Sequence, residues 1–326
     1  MKEFRTELTP KGSSSPIGLK DKIFTIGSCF SDEIGQLLIE NKFTVRKNPF
    51  GTVYNPISIH DLLLFGLNRT SPSAGSYSKN DEIHFNYYFH SSFSSLTNSD
   101  LESKVQNSIT DSNLFLKNVN RIIITYGTSF VYQLRSNETV VANCHKMPSS
   151  NFEKRLLSET EIVKSFGGFY STLKSINPSA RIILTVSPVR HLKDTLELNA
   201  VSKSILRLAC HSITNQFSNV EYFPAYEILL DDLRDYRFYK TDRLHPTEEA
   251  VGYIWEKFIE TNVDDPARKF ISEWERIKQD LAHRPLLSDS VSYFKFLNAL
   301  LAKLESLQSQ ADVSEEVSSI RSKLKL

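Results

Sequence analysis

Residues 22–35 read KIFTIGSCFSDEIG. An apolar run from Ile23 to Ile26 stops at Gly27, and an amphipathic pattern then begins with Phe30, Ile34, Leu37 and Leu38. A short continuous apolar run suits a strand buried on both faces, and apolar residues at helical spacing suit a helix packed on it. The stretch is therefore a strand-to-helix junction, with Ser28 and Cys29 in the turn. One of the two is a candidate nucleophile, and the other has only to hold the turn.

Runs of the same kind recur at wide intervals: RIIITY at 121–126, RIILTV at 181–186 and VEYF at 220–223. Helical patterns lie between them, at Ile162, Phe166, Phe169 and Leu173, and at Ala200, Ser204, Ile205, Leu208 and Ala209. Strands alternating with amphipathic helices predict a layered α/β domain on a mostly parallel sheet. In such sheets functional groups gather at the carboxyl ends of the strands.

Two inserts interrupt the alternation. The Ser-rich segment 69–98 has aromatic alternation in its middle, which predicts a loop with a short strand or ribbon over the core. A second insert, 129–148, begins as a hairpin over 129–145: FVYQL, a polar RSNE turn, then TVVANCH. Both are placed to wall a cleft. The domain so defined spans 1–262, and a charged helical extension follows over 263–326. Leu297, Leu300, Leu301, Leu304 and Leu307 form an apolar stripe there, too short for a coiled coil. It is expected to pack on the domain, or to dock a partner or a second copy if exposed.

With 326 residues, 40% hydrophobic and 24% charged, the chain can bury one sizeable core. A net charge of +1 gives no general attraction to nucleic acid or anionic lipid. No apolar stretch reaches the ~18 residues of a membrane span. The opening MKEFRTELTPKGSSSPIG has no apolar core of the secretory kind, so a cytoplasmic protein is expected. Cys29, Cys144 and Cys210 are odd in number and far apart, which suggests neither a disulfide framework nor a cysteine metal site. The glycosylation-type triplets at Asn68 and Asn137 are read as chance. No glycine-rich phosphate loop and no His-x-x-x-His pair is present, so neither a cofactor nor a metal is expected.

The chemistry-bearing segment is YKTDRLHPTEEAVGYIWEKF at 239–258. Asp242 stands three residues before His245, followed by Pro246, the capping Thr247, Glu248 and Glu249 at the start of an amphipathic helix. An Asp so placed can orient an imidazole and fix its tautomer, the base half of a nucleophile–His–Asp triad. A surface Asp and a solvated His would give the same letters. The junction at residue 28 supports the catalytic reading, since both ends would meet at one edge of the sheet.

FTIGSCFSDEIG resembles the signature of the GSCFA family, within the SGNH/GDSL hydrolase superfamily. NPFGTVYNP (48–56), YGTSFVY (126–132), VANCHKMP (141–148), TVSPVRH (185–191) and YFPAYEILLDDLRDYRFYKTDRLHPT (222–247) resemble it too, in order and spacing. The resemblance covers roughly residues 20–260. It implies a flavodoxin-like three-layer α/β/α sandwich and an esterase or O-acyl transferase, with acylated carbohydrate as the substrate class. Asp242 and His245 match the superfamily's Asp-x-x-His. In the first block, ungapped alignment on Gly27 puts Cys29 at the nucleophile position, and a one-residue shift restores Ser28. Thiols at helix amino termini beside a His are strong nucleophiles, whereas Ser is an ordinary cap there. Cys29 could instead be a small buried apolar residue. Both stand, with the triad context tilting slightly to Ser28.

For the oxyanion the resemblance implies the nucleophile's own N–H and Gly51, whose alternative is a turn needing positive φ. Where the superfamily has Gly-x-Asn-Asp, this chain has Gly127, Thr128 and Ser129, without the Asn. Thr128, Ser129 or Asn143 is the substitute donor, although satisfying its own loop is the blander role for Asn143. His145 with Lys146, and Arg190 with His191, are candidates to hold a polar or anionic part of the substrate. The missing Asn also allows a different protein, a non-catalytic binding domain on the same scaffold.

Overall fold

The computed structural model describes residues 6–287 and 289–324. Residues 1–5 of the amino-terminal stretch and the last two of the chain lie outside them. Strand β1 (Lys22–Gly27) runs into α1 (Cys29–Glu40) and β2 (Thr44–Lys47), followed by α2 (Pro56–Asn68). The first insert holds β3 (Tyr77–Asn80) and β4 (Ile83–Asn86), and α3 (Asn98–Leu116) leads back to β5 (Arg121–Tyr126). The second insert holds β6 (Phe130–Leu134), β7 (Val140–Val141) and β8 (Phe152–Leu156). Then come α4 (Glu159–Ile176), β9 (Arg181–Val186), α5 (Thr195–Gln216), β10 (Val220–Tyr222), the single turn α6 (Ala225–Glu227) and α7 (Glu248–Asn262). Helices α8 (Asp265–Ala282), α9 (Val291–Leu307) and α10 (Ser314–Leu324) follow.

The central sheet has the order β10-β9-β5-β1-β2 and every pair in it is parallel. Period-two alternation divides its side chains between two cores. Phe24, Ile26, Ile122, Ile124, Ile182 and Leu184 face the core shared with α2, α3, α4 and α5. Ile23, Ile123 and Ile183 face the one shared with α1 and α7. Burial on both faces is why these strands are continuous apolar runs, and the result is a three-layer α/β/α sandwich. The strand order reverses between β1 and β5, the switch point where such sheets open a crevice at their carboxyl edge.

Gly27 ends β1 at that switch point with φ 140°, and a Cβ there would stand 2.2 Å from the Thr125 carbonyl oxygen. No side chain fits. Its N–H donates to Asn48 Oδ1 (2.9 Å) and its carbonyl accepts from the Val53 N–H (2.9 Å), which binds the NPFGTVYNP loop to the end of β1.

In the first insert β3 and β4 form the expected ribbon. In the second, β6 pairs with β7 as expected for the hairpin, and also with β8, a third strand beyond the hairpin reading. Phe85, Tyr87, Leu134, Val141 and Phe152 join the inserts in a small aromatic cluster.

The leucine stripe of α9 is buried inside the chain, against Phe270, Trp274 and Ile277 of α8 and Val317 and Ile320 of α10. The exposed face required for partner docking is therefore absent from this stripe, because α8 and α10 already cover it. Helix α8 joins this helical cluster to the sandwich, since its Ala267 and Ile271 belong to the core on the α1–α7 side of the sheet. Among the described residues no helix is long and apolar enough to cross a membrane.

Candidate active site

A cavity of about 420 Å³ opens at the carboxyl edge of the sheet. Cys29 and Tyr54 line it beside the end of β1, Thr128 and Phe130 beside β5, Arg190, His191 and Lys193 after β9, and Leu244 and His245 before α7. Tyr132, Val141, Ala142 and Leu192 supply an apolar and aromatic wall. The second insert thus does line a cleft.

The DRLH turn is built around one carboxylate. Asp242 Oδ1 accepts the N–H groups of Leu244 (2.8 Å) and His245 (3.0 Å), and Arg243 turns left-handed at φ 61° between them. Asp242 Oδ2 accepts from His245 Nδ1 at 2.6 Å. The Leu244 N–H first, then the imidazole and the His245 N–H, hold the Asp242 carboxyl far below the usual carboxylate range. An ionised carboxylate can only accept, so Nδ1 carries the ring proton and Nε2 of the neutral imidazole is left as a base. The Arg190 N–H donates to the Leu244 carbonyl (3.2 Å), fastening this turn to the loop after β9.

Ser28 and Cys29 part company at the junction. Ser28 is buried, its N–H donates to the Thr125 carbonyl (3.1 Å), and its Oγ has no hydrogen-bond partner. It caps α1 by position but makes no side-chain cap bond. Cys29 is the first residue of α1, partly exposed, and faces the cavity. Its Sγ lies 3.4 Å from Tyr54 Oη. Burial first, then the bond to Cys29, push the Tyr54 phenol well above its ordinary pKa, so the hydroxyl keeps its proton. As the first residue of its helix, Cys29 also has a backbone N–H with no intrahelical acceptor.

The other expected residues divide in the same way. Thr128 lines the cavity, but its N–H and that of Gly127 both donate to the Tyr54 carbonyl (3.1 and 2.8 Å). Ser129 is sealed inside, bonded through N–H and Oγ to Ser202 Oγ (2.8 and 3.1 Å). Gly51 sits in a turn at φ 77°, with its N–H given to the Asn48 carbonyl (2.9 Å) and the His90 Cβ 2.4 Å from where its own Cβ would be. Asn143 Oδ1 accepts the His145 N–H (2.8 Å), closing its own turn. His145 stacks on Phe85 (4.2 Å), and its Nε2–H is shared between the carbonyls of Asn86 and Phe89 (3.0 and 3.1 Å). Gly51, Gly127, Ser129, Asn143 and His145 are not among the cavity-lining residues. Arg190 and His191 are. Burial, then the charges of Lys203 and His245, lower His191 to about 3, so it is neutral, and its Nε2 is buried without a partner.

Two residues central to this geometry escape the sequence reading. Tyr54 is one. The other is Lys203 of α5, fully buried, whose Nζ donates to the carbonyls of Gly127 and Ser187 (both 2.7 Å). It ties together the loops that follow β5 and β9. The buried face of α5 is Asn199, Ser202, Lys203, Leu206, Ala209, Cys210 and Ile213, whereas Ala200, Ser204 and Leu208 of the expected stripe are exposed. The amino-terminal half of that face is polar because it serves the loops under the cavity.

Fold and cavity together define a doubly wound α/β protein with a thiol and an Asp-anchored imidazole at its switch point. The chain belongs to the GSCFA family, whose model matches residues 22–258. The model described as GSCFA domain protein, C-terminal domain, matches 274–326. No curated protein sequence matches significantly. Among solved structures, the chain is similar to a family 3 carbohydrate esterase of Clostridium thermocellum, with 10% identity and TM-score 0.36 over 77% of this chain and 99% of that one. It is similar also to an acetyl xylan esterase from the rumen bacterium Butyrivibrio proteoclasticus, with 11% identity and TM-score 0.37 over 76% and 64%. A family 3 carbohydrate esterase from Talaromyces cellulolyticus gives 8% identity and TM-score 0.34 over 78% and 99%. Likenesses this distant assign no residue.

Proposed function

We propose that this chain is an ester hydrolase or O-acyl transferase of the SGNH type, working through an acyl-thioenzyme on Cys29. The observation that carries the proposal is that Cys29 and the Asp242-anchored His245 line one cavity, while Ser28 is sealed away from it. Cys29 Sγ attacks the ester carbonyl as His245 Nε2 takes the thiol proton, and the imidazolium is stabilised by Asp242. The same proton goes to the leaving alcohol as the tetrahedral intermediate collapses to a thioester. Water, or the hydroxyl of an acceptor, then attacks the thioester with His245 again as base, which regenerates the thiol. The motifs' resemblance to hydrolases of acylated carbohydrates supports a glycan ester as substrate.

In the place of the missing Asn we propose the Tyr54 hydroxyl, with the Cys29 N–H, as donors to the oxyanion. Phenol and thiol are neighbours, and the phenol keeps its proton. Tyr54→Phe is expected to lower kcat about 100-fold with KM little changed, the pattern of a group that acts on the transition state. A change in KM alone would make Tyr54 a ground-state contact.

The test of the function is direct. Incubated with 4-nitrophenyl acetate and quenched, the protein should gain the mass of one acetyl group on the peptide that carries Cys29. A non-catalytic binding role has one observation on its side: the thiol is bonded to Tyr54 and not to the imidazole. Neither adduct nor turnover with any short-chain ester would select that second reading.

A further inference from the structure

The cavity has a charge pattern that ester cleavage alone does not require. Among its described lining residues are two cations, Arg190 and Lys193, and no carboxylate. Among the described residues no Asp or Glu pairs with either. The neighbouring imidazole of His191 is neutral, so it adds no charge of its own.

Arg190 is held in place by other means. Its guanidinium lies 4.0 Å from the centre of the Tyr239 ring and 5.2 Å from that of Tyr236, and its backbone is bonded to the triad turn. Stacking occupies the face of the guanidinium and one N–H is given to the Tyr239 hydroxyl, which still leaves N–H donors on its edge to meet an oxyanion. A partly buried cation held rigid without a counter-ion is complementary to an anionic ligand. Arg190 stands three residues before Lys193, and its backbone N–H is bonded to the carbonyl of Leu244, the neighbour of His245, so a ligand held there shares the cavity of the imidazole.

We propose that the substrate is an ester bearing an anionic group, a carboxylate or phosphate, which Arg190 binds by its guanidinium edge with Lys193 at the rim. The inference rests on the esterase reading for its substrate but not for its binding site.

Matched ester pairs test it. A carboxylate on the alcohol side is given by 4-acetoxybenzoate against its neutral methyl ester, and one on the acyl side by 4-nitrophenyl hemisuccinate against 4-nitrophenyl acetate. In the wild type, kcat/KM should favour the anionic member of at least one pair about tenfold or more, and that pair names the side. Added salt should erode the preference. Arg190→Gln should bring the ratio near one, whatever it does to both rates. Ratios near one in both wild-type pairs, with turnover intact, would overturn the anionic substrate and leave the esterase standing. If no ester turns over, the same pairs are titrated calorimetrically into the Cys29→Ala protein. Preferential binding of an anionic member that Arg190→Gln removes upholds the site without the reaction, and equal or absent binding overturns it.

Discussion

Cys29→Ala is expected to lower kcat/KM for an activated ester by a factor on the order of 10⁴, while Ser28→Ala stays within about threefold of wild type. The contrast follows from where two adjacent side chains point. Ser28 Oγ has neither a partner nor a place in the cavity lining, so removing it breaks no hydrogen bond. Deleting an unpaired buried hydroxyl is neutral or stabilising, so the thermal midpoint of Ser28→Ala should hold or rise. Cys29 faces the imidazole's cavity from the first position of α1. His245→Ala should fall to the same floor as Cys29→Ala, and the double variant no lower, because nucleophile and base act as one unit. Steady-state kinetics on the four proteins settle it. An inactive Ser28→Ala beside an active Cys29→Ala would sink the assignment and restore the serine.

Lys203→Met should cost about 3 kcal/mol of stability, measured by urea unfolding, and about 100-fold in kcat. Two buried carbonyls, those of Gly127 and Ser187, lose their only side-chain donor, at about 1–3 kcal/mol each, partly offset because a cation is no longer buried. The loops they belong to carry Thr128 on one side and Arg190 and His191 on the other, and a displacement of about 1 Å in such loops costs about 10² in rate. The effect on stability is pH-dependent with a definite sign. Burial lowers the Lys203 amine from 10.5 to about 7 in the folded chain. Below about 7 both folded and unfolded forms are protonated, and the native state bears the whole penalty of the buried charge. Between about 7 and 10.5 the unfolded chain binds the extra proton, so native stability rises with pH and levels off above that window. The advantage of wild type over Lys203→Met should therefore widen between pH about 7 and about 9.5. A gap that stays flat would show that the amine is not buried as seen.

The legible parts of the chain were those where local pattern and global role agree. The runs that became β1, β5 and β9 are buried on both faces and have no polar alternation to hide them, whereas β10 is a short edge strand with only Val220 buried. Ile162, Phe166, Phe169 and Leu173 are the buried residues of α4, because nothing polar competes for that face. Edge strand β2 was missed: TVRK is short, mostly polar and only half-buried. Helix α3 was missed because its buried face includes Ser108, Ser112 and Asn113, which weakens the apolar period. The misplaced face of α5 has the same origin in sharper form, since a Lys at a buried position reads as a surface residue until its two carbonyl partners are known. The pairing of Asp242 with His245 was legible from spacing, as local hydrogen bonding fixes their relation, but the same letters would also serve a surface pair. The choice between Ser28 and Cys29 was not, since it depends on whether the turn after β1 sends each side chain inward or out. Tyr54 carried no signal, because its role comes from a contact with a residue 25 positions away.

The seam between α8 and the sandwich bears on how this chain can be shortened. Trp274 Nε1 donates to the Glu40 carbonyl (2.8 Å) at the far end of the helix that Cys29 begins, and Lys42, just beyond, is paired with Glu316 (2.6 Å) and lies over the Trp274 ring. A cut placed before α8 would strip one end of α1 of its anchor. A cut placed after it would turn Phe270, Trp274 and Ile277 into an uncovered apolar strip. Expression boundaries drawn at a change of composition would thus trade a shorter chain for a sticky or loosened one. The helix that Cys29 begins is gripped from both ends, by the sheet at Gly27 and by the carboxyl-terminal helices at Glu40.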